Sequence, residues 1–289
     1  MNKKKAVVTG GMGFIGSHVA QALEERGYEV VIVDTQAGQD INDAELLRQL
    51  FFGATFVFHL AALPRVQYSI EHPEETHRVN VDGTLAVLTA AKEAGVKKVI
   101  YSASSSAYGD QDTMPLVESM PAKPKSPYGL QKYIGELYCR MFSEVYGLPT
   151  VSLRYFNVYG PGADPNGAYA LAIAKFLKQR TDGNPITITG DGKQTRDFTH
   201  VRDVVRANIL AATSEKVGKG EVINIGAGRN ATINRIAELI GGRVEYIAPR
   251  LEPHDTLADN SLAKRLLNWE PQVSLEDGIK ELKKISGLI

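Results

Sequence analysis

The chain has 289 residues, 43% of them hydrophobic, so it can bury the core of one large domain or two smaller ones. Its 33 basic and 33 acidic side chains give a formal net charge of zero, which argues against nucleic acid or an anionic membrane as the main partner. A single cysteine excludes an intrachain disulfide, no Cys/His cluster indicates a metal site, and no apolar segment approaches the roughly 18 residues of a membrane span. No signal-like segment precedes the first strand, and we expect a cytoplasmic protein.

The first predicted elements are a buried strand over residues 6–8, a glycine-rich turn and a helix. Gly10, Gly13 and Gly16 permit a tight turn, let backbone N–H groups approach a pyrophosphate, and let the helix pack closely on the strand. The N-terminus of the helix, at Phe14 and Ile15, would favour the bound anion. A tight turn without a ligand remains an alternative for a glycine loop taken alone.

Residues 29–34 predict a second strand that closes with Asp34. A carboxylate at this position can accept hydrogen bonds from an adenosine ribose and repel a 2′-phosphate, so Asp34 favours NAD over NADP. An acid that only ends the strand or caps a helix would look the same in the sequence.

Strands and helices go on alternating through the first half of the chain. Residues 54–60 predict a third strand, residues 80–94 a helix, and residues from 98 onward a fourth strand. Repeated strand–helix units of this kind indicate a parallel sheet with right-handed crossovers.

Candidate catalytic residues follow the fourth strand. Ser104, Ser105 and Ser106 end the strand, and a helix predicted over residues 127–146 carries Tyr128 and Lys132 one turn apart on one face. Free tyrosine has a pKa near 10, but a neighbouring ammonium favours the phenolate. Tyr128 could then take a proton from a sugar hydroxyl held by Ser104. Such Tyr/Lys pairs also occur on ordinary helices, so the prediction rests on their combination with the glycine loop and Asp34.

This combination resembles the NAD-dependent nucleotide-sugar epimerase and dehydratase family, the extended short-chain dehydrogenase/reductases. The resemblance covers nearly the whole chain, as far as Leu266-Leu267-Asn268-Trp269. Three segments between the two ends also carry it: His59-Leu60-Ala61-Ala62, Asn80-Val81-Asp82-Gly83-Thr84 and Arg154-Tyr155-Phe156-Asn157-Val158-Tyr159-Gly160.

The resemblance implies an α/β fold with a Rossmann domain that binds NAD, over residues 1–160 with returning segments near 197–228. A smaller, discontinuous α/β domain over residues 161–196 and 229–289 would bind the nucleotide sugar. The family also implies a homodimer, in which the helix near residues 82–94 and the helix bearing Tyr128 form a four-helix bundle with their mates. The residues implied to contact NAD are Gly10, Gly13, Phe14, Ile15, Gly16, Asp34, Asp40, Ile41, Leu60, Ala61, Ala62, Asn80, Ser102, Tyr128, Lys132 and Tyr155.

Several positions bear on the reaction. Family dehydratases carry Thr-Asp-Glu where this chain has Ser104-Ser105-Ser106, so dehydration lacks its acid pair and the cluster resembles that of 4-epimerases. Glucuronate epimerases carry Arg-Phe-Phe-Thr and a loop arginine, whereas this chain has Arg154-Tyr155-Phe156-Asn157 and Asp164, which would repel an acidic sugar. The run at 164–169 resembles the loop of epimerases that act on UDP-N-acetylhexosamines.

The second half of the chain supplies the implied substrate contacts, together with Ser104, Ser105 and Ser106. Arg196 resembles the arginine that clamps the diphosphate, a task suited to a planar, always-charged guanidinium. Arg250 resembles a second diphosphate contact in an altered sequence context. Asn157 resembles the asparagine that meets the nucleotide diphosphate, and Thr256 stands where a small residue leaves room for an acetamido group.

The expected function is UDP-hexose 4-epimerisation, between UDP-glucose and UDP-galactose and between the corresponding N-acetylhexosamines. Tyr128 would move the proton of the 4-hydroxyl, Lys132 would favour its phenolate, Ser104 would polarise O4, and bound NAD would oxidise C4 transiently. The alternatives are a UDP-glucuronate 4-epimerase, a 4-keto-sugar reductase that consumes NADH or NADPH, and an NAD-sensing scaffold without catalysis.

Overall fold

The computed structural model describes residues 3–64, 66–165, 172–248 and 255–289. Its strands are β1 (Lys5–Thr9), β2 (Glu29–Val33), β3 (Ala54–His59), β4 (Lys98–Ser104), β5 (Thr150–Tyr155), β6 (Val158–Tyr159), β7 (Ile186–Thr189), β8 (Thr195–Asp197), β9 (Thr199–His200), β10 (Glu221–Ile225), β11 (Asn230–Thr232) and β12 (Val244–Ile247). Its α-helices are α1 (Phe14–Glu25), α2 (Ala44–Phe51), α3 (Val66–Glu71), α4 (Pro73–His77), α5 (Gly83–Glu93), α6 (Pro127–Tyr146), α7 (Ala172–Thr181), α8 (Val201–Thr213), α9 (Ile233–Ile240), α10 (Ser261–Leu267) and α11 (Leu275–Ile285).

Among the described residues, six strands form one parallel sheet in the order β10-β5-β4-β3-β1-β2. The chain runs outward from β1 to β2, then returns to β3 on the other side of β1. This reversal creates a crevice at the carboxyl edge of the sheet, where open α/β folds bind their ligands. The sequence-based prediction of a Rossmann-type parallel sheet is confirmed.

Helices cover both faces of this sheet. On one face α1 packs against α8, and the apolar cluster there includes Leu23, Phe58 and Ile223. On the other face α5 packs against α2 and α6, and the cluster includes Leu47 and Leu88. Because the sheet is buried on both sides, its strands are nearly continuous runs of Val, Ile, Phe and Ala.

A third apolar cluster lies among the elements of the second half of the chain. It joins α7, α9 and α11 and includes Phe176, Ile236 and Ile279. Short strand pairs accompany this cluster: β8 with β11, β7 with β12, and β6 with β9. β6 begins shortly after the carboxyl end of β5 and pairs with β9, which directly follows β8 in the chain. Arg196, on β8, therefore lies near the carboxyl edge of the main sheet.

Helix α6 begins and ends where the sequence predicts. The Ser126 hydroxyl accepts a hydrogen bond from the Gly129 amide at 3.1 Å, Pro127 occupies the first turn, and Gly147 takes a left-handed conformation (φ +67°) at the C-terminus. In the part of the chain that the structure describes, we find no helix long and apolar enough to cross a membrane.

Candidate active site

The glycine loop at the end of β1 is a close-packed turn. Gly10 has φ +69°, and a Cβ atom there would lie 2.7 Å from the Ala61 nitrogen. A Cβ atom on Gly16 would lie 2.0 Å from the Gly10 carbonyl oxygen. Only glycine fits at both positions, so the backbone presents the N-terminus of α1 with no side chain in front of it. This cradle fits the pyrophosphate of a dinucleotide such as NAD.

Asp34 follows β2 directly beside this loop and is 8% exposed. Its carboxylate accepts hydrogen bonds from the Met12 and Gln36 amides, both at 3.0 Å. The acid therefore caps the short turn at Thr35–Ala37 and also ties the glycine loop to the second strand. Its contact with an adenosine ribose stays a prediction.

The segment after β3 is held by Asn80, which is 1% exposed. The side-chain oxygen Oδ1 of Asn80 accepts from the Leu63 backbone amide at 2.8 Å. Its side-chain nitrogen Nδ2 donates to the Leu63 carbonyl and, at 2.8 Å, to the Gln131 side chain on α6. Asn80 thus fixes the chain beside Leu60, Ala61 and Ala62 and couples it to the helix that carries Tyr128.

Two further predicted cofactor positions lie beside α5. The Asp40 carboxylate accepts from the Asn42 amide at 2.9 Å, and Ile41 is buried against Gly83, where a Cβ atom would lie 2.5 Å from the Ile41 side chain. Phe14 and Ile15 open α1, and the Phe14 ring packs edge-on against His18.

Tyr128 and Lys132 occupy the first two turns of α6 and are 6% and 3% exposed. The Tyr128 amide donates to the Ser69 hydroxyl at 3.0 Å, which fixes the start of the helix against α3. Lys132 Nζ donates to the Ser102 carbonyl at 2.7 Å and lies 4.8 Å from the centre of the Tyr101 ring. Burial lowers the pKa of Lys132 to about 8, so its ammonium is mostly charged at neutral pH.

The serine cluster and Tyr155 lie next to this pair at the ends of β4 and β5. The Ser104 hydroxyl accepts from the Ser106 amide at 3.2 Å, and α6 packs on both β4 and the turn at Ser105–Ala107. Ser104 and Tyr155 are paired across the two strands. The Tyr155 hydroxyl exchanges hydrogen bonds with Asn208, and burial raises its pKa.

Of the described candidates for substrate binding, Asn157 and Thr256 are in hydrogen-bond contact, and Arg196 directly precedes their common partner Asp197. Asn157 has φ +31°, a left-handed conformation that asparagine tolerates. Its amide donates to the Asp197 carbonyl at 2.9 Å and, at 3.4 Å, to the Thr256 hydroxyl. Arg196 lines a cavity of about 370 Å³ together with Phe198, Arg229 and the start of α11. Arg250 lies outside the described residues.

Asp197 is a site residue that the sequence reasoning missed. It is fully buried, and its carboxylate accepts from the amides of Ala227 at 2.5 Å, Gly228 at 3.0 Å and Ala258 at 3.0 Å. Burial raises its pKa to about 6, although the three N–H groups and Arg229 favour ionisation. The sequence does show an acidic residue at the end of the short strand β8. Burying a carboxylate without hydrogen-bond partners costs free energy, so an acid at such a position indicates a set of buried donors.

Two other buried polar groups were also missed. His59 lies between the hydroxyls of Thr9 at 2.7 Å and Thr84 at 3.0 Å, and burial lowers its pKa to about 3, so it is neutral. Glu136 on α6 receives two hydrogen bonds from Arg154 on β5, at 2.8 and 2.7 Å. The hydrogen bonds of His59 connect β3 with β1 and α5, and those of Glu136 connect α6 with β5. These elements border the active site.

Comparison with known proteins gives a consistent result. The model of the NAD dependent epimerase/dehydratase family matches residues 6–226. The crystal structure of UDP-glucose 4-epimerase with UDP-glucose from Thermotoga maritima is 38% identical, with a TM-score of 0.90 over 97% of this chain and 99% of that one. The UDP-N-acetylglucosamine 4-epimerase of Methanobrevibacter ruminantium, solved with UDP-N-acetylmuramic acid, is 37% identical, with a TM-score of 0.91 over 99% of this chain and 100% of that one.

A third relative has a different named substrate. The UDP-glucuronate 4-epimerase of Thermodesulfobacterium geofontis is 36% identical to this chain over 95% of it and 93% of the relative. These three relatives are all named 4-epimerases, whereas the sugar in their names differs.

Proposed function

Because the chain belongs to the NAD dependent epimerase/dehydratase family, we propose that it interconverts UDP-glucose with UDP-galactose and UDP-N-acetylglucosamine with UDP-N-acetylgalactosamine. The chain is an NAD-dependent nucleotide-sugar 4-epimerase. The observation that carries the proposal is the buried Tyr128 and Lys132 pair beside Ser104, at the sheet edge that also holds the glycine cradle.

Each residue of the site has a separate role in the inversion of configuration at C4. NAD, when bound in the glycine cradle, supplies the reversible oxidation of the C4–H bond. Tyr128 takes the proton from the 4-hydroxyl and returns it, and the charged Lys132 beside it favours the phenolate that this requires. The Ser104 hydroxyl donates to O4 and so holds the oxygen in place as its charge changes.

The proposed choice of sugar rests on neighbouring residues. Ser105 and Ser106 replace the acid pair that a dehydratase would use, so elimination of water has no catalyst at this position. Thr256 is small and is held by Asn157 and by the Asp197 amide, and it leaves space for an acetamido group. Asp164, in the loop after β6, would repel a sugar carboxylate, which disfavours UDP-glucuronate.

Arg196 and Arg229 give the cavity of about 370 Å³ a positive wall, which suits the diphosphate of the nucleotide. We place the nucleotide end of the substrate there and the sugar at Tyr128. By the family resemblance, we propose that Arg250 is a further contact of the same diphosphate.

The test is an epimer assay on the purified protein with added NAD. UDP-glucose, UDP-N-acetylglucosamine and UDP-glucuronate are supplied separately, and the C4 epimers are resolved by chromatography while NADH is followed by absorbance. We expect the first two substrates to give epimers with no net NADH. An epimer from UDP-glucuronate alone would replace the proposed substrates, and stoichiometric consumption of NADH or NADPH would identify a reductase instead.

A further inference from the structure

The buried carboxylate of Asp197 joins three chain segments that are distant in sequence. One of its oxygens accepts from Ala227 and the other from Gly228, both in the loop after β10. The second oxygen also accepts from Ala258. The backbone amide and carbonyl of Asp197 bind the side chains of Thr256 and Asn157, at 3.2 and 2.9 Å.

These contacts adjoin the proposed substrate pocket, whose lining includes Arg196, Ala227 and Arg229. Thr256 is two residues before Ala258, Arg229 directly follows Gly228, and Arg196 directly precedes Asp197. Each group assigned to the nucleotide sugar in this region, Asn157, Arg196 and Thr256, is therefore held by Asp197 or adjoins it. The junction is tight, because a Cβ atom on Gly226 would lie 2.4 Å from the Ala258 Cβ atom and 2.9 Å from the Asp197 carboxylate.

We propose that Asp197 is a positioning residue that presets the nucleotide end of the substrate pocket, by holding the loop at 226–229 and the segment at 255–258 against β8. A pocket that is already ordered binds its ligand more tightly, since the ordering of loops no longer opposes binding. The amides that the Asp197 carboxylate binds belong to Ala227, Gly228 and Ala258, in segments that do not carry Tyr128 or Lys132. We therefore expect Asp197 to act on substrate affinity and not on the proton transfer. This inference rests on the proposed function, because it concerns the pocket that we assign to the nucleotide sugar.

Asp203 provides a matched control on α8. It is 2% exposed, and its carboxylate also accepts from backbone amides, those of Gln272 and Val273 at 2.9 to 3.0 Å. These two amides lie between α10 and α11, and the carboxylate also pairs with Arg206 on α8 at 3.2 Å. None of these partners is a proposed substrate contact. Replacing either aspartate by asparagine keeps the shape but puts an NH₂ donor opposite backbone donors, so both variants lose a comparable internal contact.

The experiment compares Asp197→Asn with Asp203→Asn in the NAD-loaded protein. Binding of UDP is measured by calorimetry, and KM and kcat for UDP-glucose by the coupled epimer assay. We expect Asp197→Asn to raise the Kd of UDP and the KM by about 10-fold, equivalent to about 1.4 kcal/mol, with kcat changed by less than about 2-fold. We expect Asp203→Asn to lower the melting temperature while Kd and KM stay at the wild-type values.

Equal Kd values for UDP in the two variants would overturn the positioning role, as would a fall in kcat with an unchanged KM. Gly226→Ala is the second variant, because it crowds the same junction while keeping the carboxylate, and it must raise the Kd of UDP in the same direction. Failure of the wild-type protein to bind UDP would instead overturn the proposed function, and the positioning role with it.

Discussion

At the scale of single residues, several polar groups of the site are held by hydrogen bonds to or from backbone atoms. Lys132 donates to the Ser102 carbonyl, the Tyr128 amide is held by Ser69, and Asp197 receives three backbone amides. The glycine loop, Tyr128 and Lys132 could be predicted because their residue types and spacing carry the chemistry. Ser69 and Asp197 could not be predicted, because the amides whose hydrogen bonds they accept lie 30 to 61 residues away in the chain and only the folded structure shows which segments meet.

The role of Tyr128 can be tested by removing its hydroxyl alone. Tyr128→Phe keeps the ring that packs at the start of α6, so we expect normal NAD content and a loss of kcat of about 10² to 10⁴, typical for a general acid–base group. The measurements are NAD released on denaturation and the epimer assay. Tyr138→Phe, on the same helix, is the control and should keep its activity. Near-wild-type turnover of Tyr128→Phe would refute the assignment.

At the scale of elements, α6 connects the chemistry to the sheet. Tyr128, Lys132 and Glu136 recur at four-residue spacing on one face, and Glu136 meets Arg154 on β5, whose guanidinium also lies 4.4 Å from the centre of the Tyr108 ring. The sequence predicted this helix from its cap and its C-terminal glycine. It did not predict the ion pair, because its two members lie on elements whose contact depends on the sheet order.

Breaking this ion pair should loosen the helix on the sheet. Both side chains are nearly fully buried, so Glu136→Gln leaves the Arg154 charge without a counter-charge, and we expect the free energy of unfolding to fall by about 3 to 5 kcal/mol. Urea denaturation followed by circular dichroism measures the change. Glu144→Gln removes an exposed ion pair with Arg140 on the same helix and should leave the denaturation midpoint where it was. A similar midpoint for both variants would contradict the structural role of the buried pair.

At the scale of the whole molecule, α5 and α6 lie side by side on one face of the sheet, and α6 exposes apolar side chains along part of its outer surface. Leu130 and Leu137 are each 47% exposed and lie seven residues apart, which places them on one stripe with Ile134 and Met141. Such a stripe fits the four-helix bundle that we propose as the interface of a homodimer.

A charge in this stripe should separate the subunits. We expect Leu137→Lys to convert a dimer into a monomer at micromolar concentration, because the ammonium would be buried against apolar side chains. Sedimentation analysis gives the mass, and Phe52→Lys, at an 80% exposed residue after α2, is the control that should sediment like the wild type. A wild-type protein that sediments as a monomer would contradict the proposed assembly.

The position of β10 has a consequence for protein synthesis. β10 pairs with β5 along its whole length, and the apolar cluster on that face of the sheet also takes in Val204, Leu267 and Trp269. The first 160 residues contain the whole glycine cradle, yet on their own they leave β5 as an open edge and α1 without its cover. During translation the nascent chain must therefore wait for about 100 further residues, several seconds at ordinary rates of elongation, before its nucleotide-binding half can close. Until then the β5 edge stays unpaired and open to pairing with other chains, so we expect a gene fragment that ends at residue 160 to yield insoluble protein rather than an isolated cofactor-binding domain.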